Sequence, residues 1–261
     1  SHLIVRRCRD LGVYTELLPS DVPIEELKKA TDSKSGKSKG KGKVRGIILS
    51  GSPFGVHEPD SPRCSPEIFE LNIPILGICY GAQLIAYMRG GVVEEGRKGE
   101  FGRTELFFKP DSELFEGLNT DGRLNVWMSH GDVIRSLNGA EIIGYTKNSP
   151  IAAFRIPISN SHTIYAYGIQ FHPEVHHTDN GDKILWNFLY RICGCERNWT
   201  MESFVRDKIE EIKREAGGSK VVCGLSGGID SSTTAVLVSR AIGDNLTCIF
   251  IDNGLLRAGE A

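Results

Sequence analysis

The sequence predicts an α/β protein: an open, mostly parallel sheet with helices on both faces, followed by the first part of a second α/β unit. Three stretches predict this. The apolar run Ile73 to Ile78 reads as a short buried strand that breaks at Cys79 and Gly81, after which Leu84, Ile85 and Met88 mark one face of a helix. A second apolar run, Ile164 to Ile169, delivers His172, with Glu174 two residues on. A third, Val221 to Leu225, leads through Ser226-Gly227-Gly228-Ile229-Asp230-Ser231-Ser232 into a helix ending near Ile242. Reactive side chains delivered at strand ends are the arrangement of open α/β sheets.

Size and composition bound the answer. With 261 residues, 40% of them hydrophobic and 25% charged, the chain suits a soluble globular protein holding one large domain, or one domain plus a fragment. A formal net charge of -2 gives no reason to expect nucleic-acid binding. No apolar run is long enough to cross a membrane, and no signal peptide is visible, although Ser1 implies a start further upstream. The seven cysteines include no C-x-x-C, only Cys193-Gly194-Cys195, which predicts free thiols in a reducing cytosol and no metal site.

Taken in order, His2 to Leu11 reads as an amphipathic helix with Leu3, Ile4 and Cys8 inward, and Val13 to Leu18 as a strand. Ile24 to Ala30 is a short helix. The tract of about 33–43, rich in Lys, Gly and Ser, has nothing to bury and is expected to be a disordered, solvated insertion; a basic tract can also bind nucleic acid or anionic surfaces. Val44 to Ser50 is a buried strand ending in Ser50-Gly51-Ser52-Pro53. Glu67 to Leu71 is a short helix, and Ala82 to Arg89 a longer one that Gly90-Gly91 ends. Val92 to Phe108 reads as strands with polar turns, and Leu124 to Met128 as a strand ending in Ser129-His130-Gly131-Asp132. Glu141 to Tyr145 and Ile151 to Arg155 read as paired strands. Beyond His172, one of Thr178, Asp179 and Asn180 caps a helix from Asp182 to Cys193 with an Ile184, Leu185, Phe188, Leu189 and Ile192 stripe. Thr200 or Ser203 caps the next helix, which runs to about Glu215.

Cys79 sits where a strand turns tightly into a helix, with the helix N-terminus beneath the sulfur. The partial positive charge there favours thiolate over thiol. The bland alternative is a buried core cysteine. His172 is placed to take the thiol proton and Glu174 to orient its ring, as the third member of a triad does. His130, also at an expected strand end, invites a catalytic reading of its own. The glycine- and serine-rich turn at 226–232, opening a helix, is an anion site of backbone N–H groups and hydroxyls, but it is not a Walker A loop because no G-K-[ST] is present.

The turn G-I-C-Y-G-A-Q together with G-I-Q-F-H-P-E resembles the class I, or triad, glutamine amidotransferases. S-G-G-I-D-S resembles the pyrophosphate loop of the N-type ATP pyrophosphatases. The linker C-G-C-E-R-N-W-T-M resembles the one joining the two halves in the family of glutamine-hydrolysing GMP synthases.

The resemblance implies a flavodoxin-like glutaminase over residues 1–195, lacking its first strand, and over 196–261 a linker helix with the opening of a Rossmann-like ATP pyrophosphatase domain. It implies catalysis by Cys79, His172 and Glu174, with His172 the base and His130 a wall. It implies an oxyanion hole from backbone N–H groups around Gly51, Ser52 and Tyr80, and a glutamine pocket including Gln83, Ser129 and His130. Ser52 stands where the family more often has glycine, so strain is expected if that position needs a positive φ. Residues Ser226, Gly227, Gly228, Ile229, Asp230, Ser231 and Ser232 are implied to bind ATP, with Asp230 toward Mg²⁺. The implied substrates are glutamine, ATP and XMP, the whole enzyme a homodimer in the cytosol. The competing expectations are a catalytically silent module binding glutamine or a partner, and a glutaminase serving another amidotransferase.

Overall fold

In the computed structural model the described residues are 1–31, 43–118, 121–158, 163–197 and 199–250. The lysine-rich tract lies almost wholly outside them. The chain divides into two compact units, one through residue 198 and one from Trp199 onward.

The first unit runs α1 (His2–Asp10), α2 (Ile24–Thr31), β1 (Ile47–Leu49), a 3-10 helix (Pro66–Leu71), β2 (Ile75–Ile78), α3 (Tyr80–Met88), β3 (Val92–Phe108), β4 (Arg123–Ser136), β5 (Glu141–Tyr145), β6 (Ala153–Pro157), β7 (Tyr165–Ile169) and α4 (Gly181–Trp186). A π-helical stretch, Asn187–Ile192, extends α4. The strands form one seven-stranded sheet in the order β1-β2-β7-β6-β5-β3-β4. β1, β2 and β7 run parallel, and beyond β7 the sheet continues antiparallel through β6, β5, β3 and β4.

The parallel segment is covered on both faces, which is why β2 is continuously apolar and buried along its whole length. Successive residues point to opposite faces. Leu76 and Ile78 join Ile4 and Cys8 of α1 and Ile184 and Leu185 of α4 in one core. Ile75 joins Ile85 of α3 and Ile68 of the 3-10 helix in the other.

Three local expectations are corrected. Val13 to Leu18 is not a strand. The Val13 N–H closes the end of α1 on the Cys8 carbonyl, and the Thr15 carbonyl is taken by the Arg9 guanidinium, so this backbone is bonded to the helix rather than to a neighbouring strand. Leu3 is exposed while Ile4 and Cys8 are buried, because only those two face the α4 side. Of the three candidate caps Asn180 is the one that precedes α4, but its side chain makes no cap bond, and the Thr178 hydroxyl donates to the His172 carbonyl instead.

The second unit comprises α5 (Met201–Ala216), β8 (Val221–Leu225), α6 (Ile229–Ile242) and β9 (Leu246–Phe250). Thr200 and Ser203 form a reciprocal capping box at the start of α5. β8 and β9 pair in parallel, and no described residue of this unit is buried.

Candidate active site

Cys79 is the junction between β2 and α3, with φ 54° and ψ −111°. A side-chain-bearing residue is disfavoured there by about 1–3 kcal/mol, a strain that persists only where the surroundings hold it. Its own N–H donates to the Ile169 carbonyl at 2.8 Å, which ties the turn to the end of β7. Tyr80, the first residue of α3, has an N–H with no partner inside the helix, and its hydroxyl turns away to the Pro62 carbonyl at 2.7 Å.

β7 lies beside β2 in parallel, with Ile78 opposite Ile169, so the chain leaving β7 passes next to the cysteine turn. His172 Nδ1 lies 2.9 Å from Glu174 Oε1, both side chains being largely buried. The His172 ring and Cys79 both lie against Gly51, near enough for the sulfur to act on the charge of the ring. Burial by itself lowers the His172 pKa, but Cys79 and the Glu174 carboxylate outweigh it and raise the ring to about 10.

The loop holding this pair is clamped from three sides. The His172 N–H donates to the Trp127 carbonyl. The Thr178 hydroxyl donates to the His172 carbonyl at 2.6 Å and accepts the Trp127 N–H at 3.0 Å. Arg7 Nε of α1 donates to the Glu174 carbonyl at 2.9 Å. Neither Thr178 nor Arg7 carries a sequence signal for this role, since Thr178 also bonds Trp127, 51 positions away, and Arg7 bonds Glu174, 167 positions away.

The sign of the His172 shift gives a pH prediction. Its folded value lies above an unfolded value of about 6.5. The stabilisation is therefore complete below about pH 6.5 and is lost as pH rises through about 10. Glu174→Gln is expected to lower the urea midpoint more at pH 6 than at pH 10.5. Equal losses at both pH values would mean that Glu174 does not support the charged ring.

Gly51 lies against the pair. A Cβ built on it would sit 3.3 Å from His172 Cε1 and 3.5 Å from Cys79 Cβ, so glycine keeps the sulfur and ring accessible. Ser52 is not among the residues with positive φ, so serine is unstrained there; its hydroxyl accepts the Phe54 N–H.

The Ser129 to Asp132 segment is not a strand end. It lies inside the fourteen-residue β4, which pairs with β3 well beyond Met128. The Ser129 carbonyl accepts the Cys79 thiol at 3.6 Å. His130 is buried, with Nδ1 at 2.8 Å from the Asp132 carbonyl and Nε2 at 3.2 Å from Glu100 Oε2, so neither ring nitrogen faces the cysteine. Gln83 is buried too, its amide donating to the Asp132 carbonyl at 3.0 Å and to Gln170 Oε1 at 3.3 Å.

In the second unit, the glycine- and serine-rich turn joins β8 to α6. Ser231 Oγ and Ser232 Oγ each donate to the Gly228 carbonyl at 3.0 Å, and Ser231 Oγ also accepts the Ser226 N–H at 3.2 Å. The loop is thus shaped by its own hydroxyls at a helix N-terminus. Asp230 lies in the first turn of α6, and Ile229 is exposed. Among the described residues no cluster of His, Cys, Asp and Glu has metal-binding geometry, and no helix is long and apolar enough to cross a membrane.

The first unit is thus an α/β protein with a strained cysteine on a strand-to-helix turn and a histidine–carboxylate pair just past the end of the neighbouring parallel strand. The chain belongs to the class-I glutamine amidotransferase family, which matches residues 1–192; the NAD synthase family matches residues 199–253. Over its whole length the chain is 49% identical to the glutamine-hydrolysing GMP synthase of Carboxydothermus hydrogenoformans and 46% identical to that of Symbiobacterium thermophilum. It spans only 48% and 47% of those relatives. A solved GMP synthase subunit from Thermoplasma acidophilum is 30% identical with a TM-score of 0.56, the match covering 74% of this chain and 87% of that one.

Proposed function

We propose that the chain carries the glutaminase domain of a glutamine-hydrolysing GMP synthase and the opening of its ATP pyrophosphatase domain, with the change of domain near residue 195. The observation that carries this reading is the strained Cys79 beside the His172–Glu174 pair.

In this reading the Cys79 sulfur attacks the side-chain carbonyl carbon of glutamine. Backbone N–H groups around Gly51, Ser52 and Tyr80 hold the oxyanion, the largest single term in many acyl transfers. His172 gives its proton to the departing ammonia, and Glu174 holds the ring in orientation. The resulting thioester is hydrolysed by water, which His172 deprotonates, giving glutamate and restoring the thiol. The Ser129 and His130 stretch forms a wall of the glutamine pocket. Gln83 belongs to the same pocket, its amide oriented by the Asp132 carbonyl and by Gln170.

The released ammonia passes to XMP that ATP has adenylated. The 226–232 loop suits the β and γ phosphates, because it is exposed and ends on the N-terminus of α6, whose first N–H groups have no partner inside the helix. Asp230 is the residue that would hold Mg²⁺, which supplies charge neutralisation on the phosphates. The two parallel strands seen here are too few to make a nucleotide fold unaided, and the relatives are about twice as long. The whole enzyme is read as a homodimer of the cytosol; that all seven cysteines are free thiols fits a reducing compartment.

The test is incubation with a diazo-ketone analogue of glutamine and mapping of the adduct by mass spectrometry. Labelling at Cys79 that excess glutamine blocks is expected. A folded chain, by circular dichroism, that takes label elsewhere or not at all would overturn the reading.

A further inference from the structure

Glu100 is a buried carboxylate with no part in the chemistry above. It is 4% exposed and stands directly opposite His130 in the β3–β4 ladder. Three donors converge on it: His130 Nε2 at 3.2 Å and Ser149 Oγ at 2.6 Å to Oε2, and Thr146 Oγ1 at 2.7 Å to Oε1. The Thr146 hydroxyl also accepts the Asn148 and Ser149 N–H groups, so its own proton is directed to Glu100. Burial alone would push the Glu100 carboxyl up, but these three bonds bring it below the usual carboxylate range.

The contacts continue past His130. Its other nitrogen meets the Asp132 carbonyl, and that carbonyl also accepts the Gln83 amide, one turn into the helix that Cys79 begins. Gln83 reaches Gln170, two residues before His172. A continuous polar chain therefore runs from Glu100 to both segments that supply the reactive pair. The carbonyl beside His130, that of Ser129, is the one that faces the Cys79 thiol.

We propose that Glu100 is a positioning residue: by holding His130 it sets the 129–132 wall against Cys79, and so sets where the glutamine side chain lies relative to the sulfur. This rests on the glutaminase reading. Nothing local in the sequence points to Glu100, because only the β3–β4 register places it opposite His130.

Glu100→Gln preserves shape but replaces one acceptor oxygen with a donor that faces other donors. Loss of a buried charged hydrogen bond predicts that labelling by the diazo-ketone analogue slows about tenfold, through weaker binding rather than slower reaction of bound analogue. Alkylation of Cys79 by iodoacetamide, which needs no pocket, is expected to stay within about twofold. His130→Asn is expected to mimic the effect, and the double variant to be no worse than either single one, as for residues that act through each other. If Glu100→Gln does not fold, Glu100→Asp, which keeps the charge, is read by the same split. Unchanged analogue labelling together with a lower melting temperature would overturn the proposal and leave a purely structural pair.

A nitrogen-15 spectrum of the His130 ring separates this proposal from the reading beneath it. An exchange-protected Nε2 proton in wild type that disappears in Glu100→Gln is expected. A freely exchanging proton in wild type overturns the hold of Glu100 on His130, whatever the labelling shows. A wild-type chain that takes no analogue yet shows the protected proton overturns the glutaminase reading, and with it any role of Glu100 toward glutamine.

Discussion

A Cys79→Ala chain is expected to take up no diazo-ketone glutamine analogue and to release no glutamate, while folding as wild type does. The first half follows from chemistry. No other described cysteine sits at the N-terminus of a helix beside a histidine–carboxylate pair. Cys8 is buried and Cys64 partly buried, and loss of water pushes both thiols up, Cys8 to about 11. Loss of the nucleophile in a triad hydrolase costs on the order of 10⁴–10⁶ in rate, because base and oxyanion donors then have nothing to act on. The second half follows from geometry. Cys79 holds a positive φ that alanine tolerates no worse than cysteine, and its backbone N–H still bonds Ile169. Glutamate release that persists in this variant, measured against a heat-treated control, would remove Cys79 from the mechanism.

Gly81→Ala is expected to be among the most destabilising single-methyl changes in the first unit. A Cβ at this position would lie 2.1 Å from the Leu49 carbonyl oxygen and 2.7 Å from its carbon. Those atoms belong to the backbone of β1, which is paired to β2 and cannot give way by a side-chain rotation. Gly77 makes the matching demand from β2, where a Cβ would lie 2.5 Å from the Gly81 carbonyl. With no side chain at either place, α3 rests directly on the strands, and the helix N-terminus reaches the Cys79 turn. Overpacking against backbone costs about 3 kcal/mol or more, so the melting temperature is expected to fall by roughly 6–12 °C. Gly131→Ala is the control, since a Cβ there meets nothing within 4 Å. Equal melting temperatures for the two variants would mean that the helix is not seated on the strands as described.

Much of the site was legible because its signals are local. The strand Ile75–Ile78, the turn at Cys79, the apolar helix after it and the His172–Glu174 spacing all lie within short windows, and periodicity and turn chemistry act over such windows. The same holds for the 226–232 loop, whose hydroxyls bond to backbone only a few residues away. Where a local signal had two outcomes, tertiary partners chose between them. Val13 to Leu18 has strand-like residues, yet its backbone bonds to α1 and Arg9. Gln83 sits one turn past the nucleophile, where either a pocket or a core role fits the sequence. The fold shows its amide held by the Asp132 carbonyl and Gln170, contacts that come from residues far away in the chain.

The strand-turn-helix at Cys79, the histidine–carboxylate pair and the turn at 226–232 thus follow from the chain's own order of residues, since each is written in neighbours whose conformations are coupled through the backbone. What stands opposite what came from tertiary packing. Strand register put Glu100 against His130 and placed the Ser129 carbonyl in mid-strand facing the thiol. Parallel pairing of β2 with β7 brought Cys79 to His172, and the seating of α3 on β1 made Gly81 indispensable. Those relations depend on how separate segments bury their apolar faces together, a cooperative outcome that no single stretch of chain encodes.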